Sequence, residues 1–227
     1  YKLEGYNGFS YEKNFVEVGD GDKLSLGDTE LTFYLTPMVH WPESMVSFEE
    51  STGRLFSQDA FGAFGSLSGA IFDDEINWEF YLDDTIRYYT NIIGKFSAQV
   101  KNALNKLAPL DIKMICPVHG PVWRTNLQYY IDKHVKWASY EPEEEGVLIV
   151  YGSMYGNTEN VAQIMATELV KRGITKIKMY DASKTHHSYI IADAFKYSHI
   201  LVASVTYNLT LYPPVKTLLE DMIMLNL

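Results

Sequence analysis

Predicted strands and helices alternate in the part of the chain that follows residue 146. Strands are predicted at Val147 to Tyr151, Lys176 to Tyr180 and His199 to Ala203, and a helix is predicted at about Glu159 to Lys171. A chain in which strands alternate with helices forms a parallel sheet with helices packed on its faces. This part is therefore expected to fold as a doubly wound parallel sheet of the α/β class.

The predicted helix at Glu159 to Lys171 has one apolar face that is expected to pack against the sheet. That face comprises Val161, Ile164, Met165 and Leu169. Gly173 follows the helix where a C′ glycine would end it. Only three strands precede Leu227, fewer than such sheets usually have, so the chain is expected to stop within a domain.

Residues 1–140 have a different pattern, in which short strands come first and helices follow. The predicted strands are Asn14 to Val18, Lys23 to Leu26, Leu31 to Leu35, Met45 to Glu49, Arg54 to Ser57 and Ile112 to Cys116, and the predicted helices are Asn77 to Ile93 and Phe96 to Leu107. Leu31, Phe33 and Leu35 alternate with Thr and Tyr residues, which predicts a half-buried strand. The acidic, proline-bearing segment 141–146 is the predicted linker.

The composition narrows the choice of partners and compartment. Lys and Arg total 19 against 29 Asp and Glu, and the formal net charge of -10 disfavours binding to a nucleic-acid backbone. No apolar run approaches the roughly 20 residues of a membrane-spanning helix, and residues 1–8 do not resemble a signal peptide. The single cysteine, Cys116, excludes an internal disulfide and is expected to pack as a small buried residue. These features indicate a cytoplasmic globular protein.

The first strand of the second part leads into a loop of small and hydroxyl-bearing residues, Gly152-Ser153-Met154-Tyr155-Gly156-Asn157-Thr158. Backbone N–H groups and the helix dipole converge where such a loop enters a helix, which suits a phosphate group. The loop is neither a Walker loop nor a GxGxxG dinucleotide motif. On spacing alone, an ordinary turn with Asn157 or Thr158 as the helix N-cap explains the segment equally well.

Three residues of the first part have side chains that bind metals and follow predicted strands: His40, Asp59 and His119. Taken singly, each has a simpler explanation, because loop histidines and aspartates that cap turns are common. Taken together, the order His, Asp, His resembles the second half of a metallo-β-lactamase-type domain. In that fold a carboxylate bridges two metal ions, and imidazoles complete their coordination.

The loop after the first strand of the second part resembles the FMN phosphate loop of flavodoxins. The segment after the third strand, with Pro213 and Pro214 beyond it, is similar to the second flavin loop of that family. The resemblance implies an FMN site that contains Ser153, Met154, Tyr155, Gly156, Asn157, Thr158, Thr206, Tyr207 and Asn208. Both loops would lie at the carboxyl ends of parallel strands, where ligands bind in such sheets. The third flavin loop would lie beyond Leu227.

Three segments of the first part resemble the ligand segments of flavodiiron proteins, which fuse a lactamase-type di-iron domain to a flavodoxin domain. They are His40-Trp41-Pro42-Glu43-Ser44-Met45, Leu55-Phe56-Ser57-Gln58-Asp59-Ala60-Phe61-Gly62 and Pro117-Val118-His119-Gly120-Pro121. The resemblance implies that His40 and His119 each bind one iron and that Asp59 bridges the two irons. Glu43 stands where the family commonly has Asp, at a position that is not a ligand.

The resemblance also implies how the chain is divided. Residues 1–140 correspond to the C-terminal portion of a metallo-β-lactamase-like αββα sandwich, 141–146 to a linker, and 147–227 to the first part of a flavodoxin-like FMN domain. The family's remaining iron ligands lie in an upstream His-x-Glu-x-Asp-His segment, a pattern that this sequence does not contain. The chain is therefore expected to be a fragment that lacks the start of the first domain and the end of the second.

An oxidoreductase that uses FMN and two irons is the activity that the resemblance implies, reducing oxygen to water, nitric oxide to nitrous oxide, or both. It also implies a head-to-tail homodimer or dimer of dimers, and a donor such as rubredoxin, a reduced deazaflavin or a flavin reductase. Two alternatives stay open. One is a zinc-dependent hydrolase of the lactamase fold, and the other is an electron-shuttling flavodoxin module with a metal-free first domain. Metal and flavin content separates the three.

Overall fold

The computed structural model describes residues 16–227, which form a five-stranded sheet in the first part and a three-stranded sheet in the second. The first sheet contains, in spatial order, β1 (Lys23–Ser25), β2 (Glu30–Leu35), β3 (Met45–Glu49), β4 (Arg54–Gln58) and β5 (Met114–Pro117). Neighbouring strands are antiparallel except β4 and β5, which run parallel. As a result β2, β4 and β5 all point the same way.

Helices follow β4 and β5, and their apolar sides join the core on one face of this sheet. The helices are α1 (Glu79–Tyr88), a π-helical turn (Tyr89–Ile93), a 3₁₀ turn (Gly94–Phe96), α2 (Ser97–Leu107) and α3 (Leu127–Ala138). Both helices predicted before residue 108 are present. They differ from the prediction in joining without a loop, because the two turns continue α1 directly into α2.

The strands predicted from Lys23 to Ser57 are confirmed to within one residue at each end. β5 begins two residues later than predicted, at Met114. In the strand predicted at Asn14 to Val18, the first two residues lie outside the described part of the chain, and residues 16–18 form no strand.

The predicted alternation of burial along β2 is wrong. Thr32 and Phe33 are both buried, whereas Leu35 is exposed. The cause is the pairing with β3, which sets Thr32 opposite Phe48 and Tyr34 opposite Val46. Since paired residues share a face and Phe48 and Val46 belong to the core, the Thr and Tyr side chains face the helices.

The second part folds as the predicted parallel sheet. Its elements are β6 (Glu144–Gly152), α4 (Asn157–Lys171), β7 (Ile177–Asp181), α5 (His187–Lys196), β8 (Tyr197–Ser204), a short hairpin β9 (Thr206–Tyr207) and β10 (Thr210–Leu211), and α6 (Pro213–Met224). The strand order is β7-β6-β8 with every pair parallel, which confirms the α/β class. Among residues 16–227, no helix is long and apolar enough to span a membrane.

The face of α4 that contacts the sheet differs from the predicted one. Val161, Ile164 and Met165 are 54%, 60% and 38% exposed. Of the predicted face only Leu169 packs against the sheet, and Ala162 and Ala166 pack there with it. These three residues are also spaced for one helix face, and the alanines allow the helix to approach the sheet closely. Gly173 ends the helix with φ +87°, as predicted.

The two parts of the chain share one core. Ala192 and Phe195 of α5 belong to the same buried cluster as the helices of the first part, and the rings of Phe195 and Tyr140 stack at 5.4 Å. The segment predicted as a linker is also anchored, because Glu143 accepts hydrogen bonds from Trp137 and Lys133. Its last three residues lie in β6, which starts at Glu144.

Candidate metal centre and second-sheet loops

Three loops meet at one edge of the first sheet because the strands that precede them point the same way. His40 lies in the loop after β2, Asp59 directly follows β4, and His119 comes two residues after β5. β4 and β5 are adjacent, and their last paired residues are Gln58 and Pro117. We call residues 36–44, 59–63 and 118–121 the ligand loops. The topology therefore brings together the three residues that the sequence singled out.

The carboxylate of Asp59 lies between the two imidazoles. His119 Nε2 is 3.2 Å from Asp59 Oδ1, and His40 Nε2 is 3.7 Å from Asp59 Oδ2. Each imidazole thus faces a different oxygen of one carboxylate. In residues 16–227 no three His, Cys, Asp or Glu side chains converge on a single point as they would around one ion. The geometry is that of a carboxylate shared by two positions.

Backbone contacts hold the ligand loops against one another. The Ala63 N–H donates to the carbonyl oxygen of His119 in the next loop at 3.2 Å, and within residues 59–63 the Gly62 N–H donates to the carbonyl oxygen of Asp59 at 3.2 Å. Gly120 has φ +80°, and a Cβ there would come within 2.8 Å of the Ala63 Cβ. Only glycine fits this close approach without displacing the neighbouring loop.

Tyr88, at the end of α1, is a residue of this site that the sequence did not reveal. Its hydroxyl donates to Asp59 Oδ1 at 3.3 Å, and its ring lies 5.9 Å from that of His119. Burial, followed by the charge of Asp59, raises the pKa of Tyr88 well above its ordinary value, so it remains a donor. A tyrosine on a helix distant in sequence carries no motif, and only the fold brings it to the site.

An open pocket lies in front of Asp59, His40 and His119. Phe64 and Ile92 add apolar walls, and Tyr88 completes the lining on the helix side. The side chain of His119 is about half exposed, and those of His40 and Asp59 are about a quarter exposed. The nitrogen and oxygen donors are therefore accessible from one side and packed on the other.

The two loops at the carboxyl ends of β6 and β8 lie side by side. Gly152 and Ser204 are the last paired residues of these strands. The Val205 N–H donates to the carbonyl oxygen of Gly152 at 3.2 Å, and the Tyr212 N–H donates to Ser204 Oγ at 3.0 Å. We call residues 153–156 and 205–212 the second-sheet loops. They converge as the parallel sheet requires.

The first of these loops ends on a left-handed residue. Gly156 has φ +85° and is the N-cap of α4, and its N–H donates to Ser153 Oγ at 3.0 Å. Asn157 and Thr158 are the first two residues of the helix, so the expectation that one of them is the N-cap is wrong. No side chain caps α4, which leaves its first N–H groups available to a ligand.

The second of these loops folds back as a tight hairpin. Thr206 and Tyr207 pair with Leu211 and Thr210, and Asn208 and Leu209 form the turn with φ 47° and 61°. The ring of Tyr207 lies 6.3 Å from that of Tyr212 and is partly exposed. The loop therefore presents an aromatic side chain beside the end of β6.

Comparison with known proteins identifies both halves of the chain. Residues 3–120 match the ODP family beta lactamases, and residues 149–220 match the flavodoxins. The chain is 34% identical over 215 residues to an anaerobic nitric oxide reductase flavorubredoxin of Vibrio vulnificus, covering 92% of this chain and 43% of that protein. The chain spans about half the length of the curated relatives it matches.

Solved structures agree over both parts. Rubredoxin:oxygen oxidoreductase from Desulfovibrio gigas superposes with a TM-score of 0.88 at 30% identity, covering 98% of this chain and 56% of that one. The flavodiiron protein of Giardia intestinalis superposes with a TM-score of 0.88 at 26% identity, covering 92% of this chain and 51% of that one. A lactamase-like domain followed by a flavodoxin-like domain is thus the shared architecture, and the chain belongs to the ODP β-lactamase family and, with its flavodoxin part, to the flavodiiron proteins.

Proposed function

We propose that this chain is part of an oxidoreductase that reduces nitric oxide to nitrous oxide, oxygen to water, or both, at a di-iron centre supplied with electrons by FMN. The observation that carries the proposal is the carboxylate of Asp59 between the imidazoles of His40 and His119. The names of the relatives, a nitric oxide reductase and an oxygen oxidoreductase, support both substrates.

The donors fit a pair of iron ions. His40 and His119 would each hold one ion through Nε2, and Asp59 would bridge the two ions through its separate oxygens, since each oxygen faces a different imidazole. Imidazole with carboxylate is a donor set that iron accepts. When bound, the two irons supply the electrons and the open coordination positions that a diatomic gas requires.

The chain's own residues orient this carboxylate. Tyr88 donates to Asp59 Oδ1, so the carboxylate is held from the helix side of the open pocket. The contact between Gly120 and Ala63 holds the His119 loop against the Asp59 loop. Orientation of ligands by such outer contacts preserves the geometry of a metal site when its ions are absent.

The second-sheet loops fit FMN. The N–H groups at the start of α4 would receive the phosphate, helped by Ser153, Asn157 and Thr158, while Met154, Tyr155 and Gly156 complete that loop. Thr206, Tyr207 and Asn208 would flank the flavin ring. The loops present backbone N–H groups and hydroxyls in the pattern that a phosphate monoester needs.

The remaining expectations complete the proposal. We assign residues 1–140 to the di-iron domain, 141–146 to the connection and 147–227 to the FMN domain. A head-to-tail homodimer or dimer of dimers would carry electrons between subunits, with rubredoxin, a reduced deazaflavin or a flavin reductase as donor. The single cysteine suits a reducing compartment, and we place the reaction in the cytoplasm.

The decisive experiment is metal and flavin analysis of the purified full-length protein, followed by anaerobic turnover with nitric oxide and with oxygen. We expect about two irons and one FMN per chain, in keeping with a two-metal site. Zinc without flavin would overturn the proposal and favour a hydrolase of the lactamase fold. FMN without any metal would favour an electron shuttle.

A further inference from the structure

A cavity lies in the core of the first part, between the sheet and α2, and about 20 Å³ of it is open to the centre of a water-sized sphere, so the void itself is larger than this figure. Its walls are almost entirely apolar and include Val46 from β3 and Ala103 from α2. Packing in protein cores usually leaves few voids that can admit even one water molecule. A void of this kind is therefore unusual, and what it holds needs an explanation.

The cavity lies directly behind the proposed iron ligands. Val39 and Ala60 line it, and each is joined by one peptide bond to a ligand, Val39 to His40 and Ala60 to Asp59. Both apolar side chains are buried, whereas the two ligands face the open pocket on the other side of the same loops. The ligand loops thus lie between the apolar chamber and the open pocket.

The polar groups of the wall do not provide a good site for water. Thr36 Oγ1 is buried without a hydrogen-bond partner among the described residues. His134 also lines the cavity, but its Nδ1 lies 2.9 Å from the carbonyl oxygen of Tyr130, and its burial keeps the ring neutral. A buried water normally makes about three hydrogen bonds, and apolar cavities stay dry. The wall therefore suits a small apolar guest better.

A surface groove lies next to the same chamber. A groove lined by Pro37, Asn102 and Lys106 shares two of its residues, Thr36 and Ala103, with the cavity. The two small side chains therefore lie at the wall of both the groove and the chamber. Small fluctuations of α2 against the loop after β2 would connect the two.

We propose that this chamber binds one small apolar diatomic molecule on its way from the surface to the ligand loops. The identification of that molecule as nitric oxide or oxygen rests on the proposed function. The binding of an apolar gas does not rest on the proposed function, because it depends only on the shape and polarity of the chamber. The chamber would raise the local concentration of gas behind Val39 and Ala60.

Xenon tests the chamber without relying on iron, flavin or turnover. We expect xenon NMR titration, and crystals held under xenon pressure, to place one xenon atom between Val39, Ala60 and Ala103 in the purified protein. Ala103→Leu fills the chamber from α2 and is expected to abolish this binding. Ala98→Leu makes the same change at an exposed position of the same helix and is expected to bind xenon as the unmodified protein does. If Ala103→Leu does not fold, Ala103→Val makes a smaller change with the same expected direction.

Failure of the proposal has its own signatures. An unmodified protein that binds no xenon would overturn the proposal. Xenon binding that appears only after Thr36→Val would also overturn it, because the chamber would then hold a water molecule. If the proposed reaction is confirmed, Ala103→Leu should raise KM for the gas severalfold with iron and FMN content unchanged. An unchanged KM alongside lost xenon binding would overturn the route. Loss of the proposed function alone would leave the xenon result intact.

Discussion

The ligand loops and the second-sheet loops both lie at the carboxyl ends of parallel strands, yet they present different chemistry. The ligand loops offer side chains, with Asp59 placed between His40 and His119 and supported by Tyr88. The second-sheet loops offer mainly backbone, and Tyr155 and Leu209 in these loops are 86% and 99% exposed. A site built from side chains is sensitive to single replacements, whereas one built from N–H groups is sensitive to backbone geometry.

The largest loss of iron affinity is expected for Asp59→Asn. The amide keeps the shape of the carboxylate but removes the charge shared by two positions, so iron affinity should fall by more than the roughly 100-fold that loss of an outer contact can cost. FMN content should not change. Iron analysis and the flavin absorbance measure the two sites separately. Asp83→Asn, on the exposed side of α1, is the control, and equal iron loss in both variants would contradict the assignment.

Two glycines with left-handed backbone, one in each group of loops, should differ in what their replacement costs. Gly120→Ala combines backbone strain with a Cβ 2.8 Å from Ala63, and should cost about 2–5 kcal/mol of unfolding free energy. Gly156→Ala has nothing within 4 Å of its Cβ and should cost only about 1 kcal/mol. Denaturant titration measures both values. We expect Gly120→Ala to lose iron and Gly156→Ala to weaken FMN binding, and the reverse assignment would contradict the model of two sites.

Acid should destabilise the folded chain through His134, which is buried in the first part. Burial lowers the pKa of His134 from 6.5 to about 4, so the unfolded chain binds a proton that the folded chain excludes. The contribution of His134 to the free energy of unfolding is therefore fully present above pH 6.5. It declines by about 3 kcal/mol as the pH falls towards 4. All four tryptophans lie in the first part and report its unfolding by fluorescence.

His134→Phe should flatten this pH dependence, since a phenyl ring takes no proton. His199→Phe, at an exposed position of β8, is the matched control and should keep the slope of the unmodified protein. Equal slopes in all three proteins between pH 6.5 and 4 would show that His134 does not set the acid response.

The smallest loss of iron affinity is expected for Tyr88→Phe. The variant loses one hydrogen bond to Asp59 and keeps the ring packing, so iron affinity should fall about tenfold, at the lower end for an outer contact. Competition with a chelator measures this change. Tyr81→Phe on the same helix is the control, and an unchanged affinity for Tyr88→Phe would mean that the hydroxyl does not orient the carboxylate.

The sequence predicted the fold well where turn residues mark the ends of short elements. The two strands predicted on either side of Gly53 end and begin at the turn around it, where Gly53 has φ +70° and a Cβ would collide with the backbone of Asp111. The hydrophobic pattern predicted the wrong residues where packing decides which face of an element is buried. On α4 the alanines face the sheet, since small side chains allow close contact, and hydrophobicity alone favoured Val161 and Ile164.

The ligands of the candidate site could be predicted from the sequence, but the residues that support them could not. His40, Asp59 and His119 stand in recognisable sequence segments, and the strand directions bring them together. Tyr88 is placed by the fold of α1 and has no local signal. The same is true of Asp73, which is buried and accepts hydrogen bonds from the N–H groups of residues 124–126, just before α3.

The shared core has a consequence for how the molecule comes apart. Phe195 of the second part packs among aromatic residues of the first, against Tyr89 and Tyr140. Separating the parts would expose these rings to water, which opposes independent unfolding. The chain should melt in a single cooperative transition, and a cut near residue 141 should leave the two pieces associated.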